Sequence, residues 1–237
     1  KGESDMLCKG VTRNARLIRE VSTLRQKVRE MEELEADRQG IVDRLRKLVG
    51  ATIHGMSAMV EARDPYTAGH QRRVSDLARS IGAVMNLSYD QREGLRMAAS
   101  VHDIGKISVP AEILSKPTRL TELEFALIKI HPQTGYDILK DIEFPWPVAR
   151  IVLEHHERID GSGYPNGVKG EALGIESRIL GVADVAESMA SDRPYRPGFG
   201  VEASLRWIEE QKNVLFDPDV VDACVWLFNG KGYKMIP

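Results

Sequence analysis

The sequence predicts an all-α chain: one long coiled-coil-like helix, then a helical domain with functional loops set between its helices. Three observations predict this. Apolar residues in the first fifty positions fall at heptad spacing, apolar residues thereafter recur at helical intervals, and no segment alternates as a half-buried strand does. The chain of 237 residues is long enough to bury a sizeable core in one or two domains.

The division falls near residue 50, giving a helix over 1–50 and a second domain over 51–237. From Ala15 to Leu48 the chain is rich in Arg, Glu and Leu and holds no proline. Leu17, Val21, Leu24, Val28 and Met31 alternate four and three apart. After a phase slip at Leu34 the seam resumes through Ile41, Leu45 and Leu48, in the manner of a stammer. Two readings stand: a dimeric coiled coil, or a single surface helix packed on the domain. Polar residues at nearly every position off the seam favour the coiled coil and a homodimer. Residues 1–14, around Gly10-Val11-Thr12, read as the remnant of an upstream sensor or receiver module. Lys1 at the start is expected to mark a fragment.

Past residue 51 the elements are helical in turn. Val74, Leu77, Ala78, Ile81 and Val84 make one apolar face. Ser88 with Gln91, and Thr121 with Glu124, form capping-box pairs that open helices. Asp217 before Pro218 reads as an N-cap and first helical residue. Ile159 to Gly174 holds Gly161, Gly163, Pro165, Gly167 and Gly170, so it is a turn-rich loop. A second loop surrounds Arg193-Pro194-Tyr195-Arg196-Pro197.

Composition removes several function classes. The net charge of −2 shows no basic surplus, which argues against binding a nucleic-acid polymer. No run of 18 or more apolar residues exists, so no membrane span is expected. Cys8 and Cys224 form no metal motif, and with no signal peptide a cytoplasmic location is expected.

The six histidines are His54, His70, His102, His131, His155 and His156. Any one alone reads as an ordinary side chain. Their neighbours argue otherwise: His102 precedes Asp103, Ile104, Gly105 and Lys106, and His155 and His156 are adjacent. Asp184 sits inside the apolar run Ile179–Val185, where a carboxylate is costly to bury unless paired or metal-bound. Imidazoles and carboxylates suit Fe, Mn, Ni and Zn, and ligand type does not choose among them. Two such ions about 3.5–4 Å apart can activate a water and neutralise a phosphodiester.

His102-Asp103-Ile104-Gly105-Lys106, then the run from His155 to Pro165 with Gly161-Ser162-Gly163-Tyr164-Pro165, then Asp184 and Arg193-Pro194-Tyr195-Arg196, resemble the HD-GYP family. That family lies in the HD superfamily of metal phosphohydrolases and hydrolyses cyclic di-GMP. The likeness covers roughly residues 51–228. It implies an HD-type helical bundle and two divalent metal ions. His70, His102, Asp103 and Asp184 would hold one ion, with Asp103 bridging to a second held by His131, His155 and His156. Five neutral imidazoles and two carboxylates against two divalent ions leave a charge of about +2, which attracts a phosphodiester. Some family members add a third metal through a glutamate four residues before the first histidine. Tyr66 stands there, which favours two metals. His54 matches no ligand position.

The resemblance further implies a metal-bridging hydroxide attacking phosphorus in line, with Asp103 and Lys106 as the catalytic pair and Lys106 near a phosphate oxygen or the leaving 3′ oxygen. Tyr164 would meet the substrate phosphate or guanine, and Arg193 and Arg196 the second phosphate through fork-like bonds. Arg158 has two readings, ligand contact or a brace for its loop through a carboxylate. Asp192 either orients an arginine or caps a helix, and Trp146, Trp207 and Trp226 are expected to pack. The expected product is linear pGpG, with a further cut to GMP undecided. Two rival functions remain: a metal phosphohydrolase for another nucleotide, and a non-catalytic cyclic di-GMP-binding module. The family is commonly fused to an upstream regulatory domain, and a parallel helical dimer could pass its signal.

Overall fold

A computed structural model describes residues 2–63, 69–191 and 198–235, excluding the side chains of residues 2–18, Arg46 and His54. Tyr66, Asp192, Arg193 and Arg196 lie outside the described residues, as does the side chain of His54. The chain divides into two compact units, Lys1–Thr52 and Ile53–Pro237.

Among the described residues every regular element is helical, with only an isolated bridge between Lys212 and Phe216. The first helix, α1 (Gly2–Glu61), is continuous through Leu34. In the first unit its seam residues face solvent: Val21 is 45% exposed, Met31 69% and Leu34 70%. Such a row of apolar side chains in water is unfavourable unless another surface covers it. No described helix is long and apolar enough to cross a membrane.

The second unit holds the core. Helix α2 (His70–Val84) buries Val74, Leu77, Ala78 and Ile81 on one face, and packs most extensively on α3 (Tyr89–Val101). The capping box that opens α3 forms as the sequence indicates. The Gln91 N–H donates to Ser88 Oγ, and the Ser88 N–H donates to Gln91 Oε1, both at 3.2 Å. A 3-10 turn, Ile104–Ser108, follows α3 directly and leads to the short α4 (Ala111–Leu114). The second capping box, Thr121 with Glu124, opens α5 (Glu122–Ile128). Then come α6 (His131–Leu139) and α7 (Val148–Glu154).

The loop from Ile159 onward contains only one short 3-10 turn, Gly170–Ala172. Helix α8 (Ile175–Ala190) runs through the middle of the core and buries Ile179, Leu180, Val182, Ala183 and Ala186. Helices α9 (Val201–Glu210) and α10 (Pro218–Asn229) close the unit, and Asp217 caps α10 by accepting from Asp219 and Val220 N–H groups. Trp146 and Trp207 pack against the core, while Trp226 is 47% exposed.

Glycine sets the closest approach in this fold. A Cβ on Gly105 would lie 1.9 Å from the His131 carbonyl oxygen, so only glycine lets the 3-10 turn press onto the start of α6. That contact brings the His102-Asp103 pair beside His131.

Candidate metal centre

The five clustered imidazoles come from helix ends. His70 is the first residue of α2, entered through Gly69 in the left-handed region at φ 71°. His102 caps the end of α3, His131 opens α6, and His155 caps the end of α7, with His156 next to it. Asp184 alone sits mid-helix, in α8.

Helix ends supply unpaired carbonyls, and three histidines use them identically. The His102 Nδ1 bonds the Ala99 carbonyl at 2.8 Å, the His131 Nδ1 bonds Ile128 at 2.8 Å, and the His155 Nδ1 bonds Val152 at 2.6 Å. A carbonyl only accepts, so each Nδ1 carries the proton and each Nε2 presents a lone pair. These Nε2 atoms converge. His131 Nε2 and His155 Nε2 are 3.2 Å apart, His131 Nε2 is 3.4 Å from Asp103 Oδ1, and His102 Nε2 is 3.5 Å from Asp103 Oδ2. His70 Nε2 lies 3.3 Å from Asp184 Oδ1 and 3.9 Å from Asp103 Oδ2.

Three overlapping groups have ligand atoms within 4.8 Å of one another: His70 with His102 and Asp184; His102 with Asp103 and His155; and His131 with His155 and His156. Asp103 thus lies between the two ends of the cluster. The buried His102 Nε2 has no hydrogen-bond partner. An orphaned buried acceptor is expensive, and a cation at the convergence point would satisfy it. The donor set of imidazole nitrogens and carboxylate oxygens fits divalent transition metals.

Electrostatics agree with that use. Burial pushes the Asp103 carboxyl up, but Lys106 and the neighbouring imidazoles outweigh it and hold the group well below the usual carboxylate range. Asp184 is likewise held low, by its bond to His70 and by His102. Burial lowers His131 to about 4 and drives His155 and His156 well below their ordinary value, so these rings stay neutral. His70 differs. Burial opposes its charge, yet its bonds to Asp184 and Glu187 lift it to about 9, so a cation there displaces a proton.

Glu187 is the residue that motif reading missed. It is fully buried one turn after Asp184, its Oε2 bonds His70 Nδ1, and its Oε1 accepts from Arg73 Nε at 2.7 Å and Ser191 Oγ at 2.7 Å. A carboxylate behind an imidazole fixes the ring and raises its basicity. Its only sequence signal is a second carboxylate three residues along an apolar helix. Glu157 was also overlooked. It accepts the backbone N–H groups of Asn166 at 2.7 Å, Gly167 at 3.1 Å and Val168 at 3.1 Å, tying down the glycine-rich loop.

The other expected residues fall around the centre. Lys106 Nζ is 2.7 Å from Asp103 Oδ2. The Tyr164 ring lies over His156, centroids 4.7 Å apart, and Lys129 Nζ sits 5.4 Å from the Tyr164 centroid. Arg158 donates through Nη1 to the Glu157 and His155 carbonyls at 2.8 and 3.3 Å, and its guanidinium lies 5.1 Å from the Phe216 centroid. These contacts run to backbone carbonyls, where the sequence reading expects a carboxylate partner for a brace.

The family profile described as "HD domain" matches residues 55–220. The cyclic di-GMP phosphodiesterase response regulator RpfG of Xanthomonas campestris pv. campestris is 41% identical over 174 residues, 73% of this chain and 46% of that protein. The 3′3′-cGAMP-specific phosphodiesterase 3 of Vibrio cholerae serotype O1 is 37% identical over 161 residues, 68% of this chain and 35% of that protein. Among solved structures, an HDG"Y"P protein from Bdellovibrio bacteriovorus matches with a TM-score of 0.56 over 65% of this chain and 50% of that one. At 18% identity that likeness concerns the fold alone. The chain spans less than half the length of these curated relatives.

Proposed function

The chain belongs to the HD domain family, and we propose that it is a metal-dependent phosphodiesterase that hydrolyses cyclic di-GMP to linear pGpG. The gathering of five imidazoles and two carboxylates into three overlapping, largely buried groups carries this reading. A relative of 41% identity is named a cyclic di-GMP phosphodiesterase, which supports the substrate class.

In this reading His70, His102, Asp103 and Asp184 hold one divalent ion, drawn from Fe, Mn, Ni and Zn. His131, His155 and His156 would hold a second, with Asp103 able to contribute to either. When bound, such a pair supplies positive charge for the phosphate and lowers the pKa of the attacking water. The chain's own residues then position the substrate. Lys106, 2.7 Å from Asp103, reaches from the edge of the cluster to donate a hydrogen bond to a phosphate oxygen or to the departing 3′ oxygen. Tyr164 offers its ring face beside His156 for a guanine or its hydroxyl for a phosphate. Arg158 contributes by holding the loop that carries Tyr164. Arg193 and Arg196 are assigned the second phosphate from the sequence motif.

The relative named as 3′3′-cGAMP-specific supports a second reading, in which the substrate is the mixed cyclic dinucleotide. One experiment separates these. Metal-reconstituted wild type and Asp103→Ala are given cyclic di-GMP and 3′3′-cGAMP, and products are resolved by chromatography. The expected outcome is pGpG from wild type and loss of both bound metal and turnover in Asp103→Ala. Turnover retained by that variant would sink the mechanism, and cleavage of 3′3′-cGAMP alone would replace the substrate.

We also propose that the exposed seam of α1 pairs two chains in a parallel coiled coil. The solvent-facing Val21, Leu24, Val28 and Met31 support it.

A further inference from the structure

A cavity of about 390 Å³ opens on the second unit beside α2. Arg73, Asp76, Arg79, Ser80 and Ala83 line it from one face of α2, Arg92 from α3, and Tyr233 and Lys234 from the segment after α10. Four cations face one carboxylate, in a chain whose net charge is −2.

The cations are not equally available. Arg73 already donates to Glu187, and Arg79 stands 3.6 Å from Glu93. Arg92 differs: its stem lies against Gly82, and its Nε is shut off from solvent with no hydrogen-bond partner. That Nε is out of a ligand's reach, so a bond from Arg92 to a ligand in the cavity falls to its terminal nitrogens, and a phosphate oxygen is an acceptor that a guanidinium fits well. Lys234 is exposed beside it. Tyr233 supplies an aromatic wall, braced edge-on by Phe228 with centroids 5.2 Å apart. Asp76 repels a phosphate and accepts only from donors such as ribose hydroxyls or base N–H groups. It therefore turns an amphiphilic ligand so that its phosphate meets Arg92 and Lys234.

From these features we propose that the cavity binds a nucleoside monophosphate, separately from the metal centre. Its volume lies within the range of small-ligand sites, about 300–1,000 Å³. The proposal does not rest on the reading of the metal centre. The test is calorimetric titration of the full chain, wild type metal-loaded and Asp103→Ala without its metal, with GMP, and with guanosine as the probe lacking phosphate. Wild type, Asp103→Ala and the double variant Arg92→Met with Lys234→Gln are compared. Methionine keeps the stem packing on Gly82, and thermal unfolding checks that the variant folds.

GMP is expected to bind wild type and Asp103→Ala alike. Binding by the double variant should be weaker by about tenfold or more, as expected for loss of a charge-assisted hydrogen bond. Guanosine should bind no more than weakly. Absence of GMP binding, guanosine binding as tightly as GMP, or GMP binding lost in Asp103→Ala but unmoved in the double variant would each overturn the proposal.

Discussion

His70 divides its work between two ring nitrogens. Its Nε2 faces Asp184 and Asp103, and its Nδ1 is held by Glu187, which is itself held by Arg73 and Ser191. Glu187 is not itself among the expected ligands and acts through His70, so it is a positioning residue. Glu187→Gln should therefore lower metal affinity by about 10–100-fold, measured by competition with a chromogenic chelator, while the fold and the His131 side of the cluster persist. Unchanged affinity in that variant would remove Glu187 from the site. Five of the seven candidate ligands were legible because adjacent His-Asp and His-His pairs, and an aspartate in an apolar run, are rare and chemically pointed, while His70 and His131 came from the family resemblance alone. Glu187 was not, since its role depends on Arg73 and His70 arriving from another helix. Arg158 shows the converse: two readings were open, and its Nη1 meets the His155 and Glu157 carbonyls rather than the carboxylate expected of a brace.

At the scale of elements, the helix ends and one loop make the site. The periodicity of α2 and the caps at Ser88, Thr121 and Asp217 were legible because they are local, needing only neighbours within four residues. The contact of Gly105 with His131 was not, because backbone meeting backbone across 26 positions leaves no periodic trace. The glycine-rich loop read as turns, and its anchor was hidden in Glu157, one letter of a longer motif. Three backbone N–H groups donate to that carboxylate, and a Cβ on Gly163 would lie 2.4 Å from the Glu157 Cα. Glu157→Gln replaces one acceptor oxygen by a donor and should loosen the loop carrying Tyr164. KM for cyclic di-GMP is expected to rise with bound metal unchanged. Loss of metal in step with KM would instead tie Glu157 to the cluster itself.

At the scale of the molecule, the first unit ends at Thr52 and the metal cluster lies wholly in the second. The heptad seam was legible, and what covers it was not, because a seam marks an apolar face without naming its partner. Removing residues 1–52 should yield a monomer by light scattering that still binds metal, and a persisting dimer would move the interface to the second unit. The central claim is that metal held by this cluster drives hydrolysis of a cyclic dinucleotide. Its most direct measurement is cyclic di-GMP turnover against metal bound per chain, on protein stripped by chelator and reloaded stepwise. The account predicts no turnover in stripped protein and full turnover only as the second equivalent binds. Turnover by the stripped chain, or a plateau at one equivalent, would contradict it.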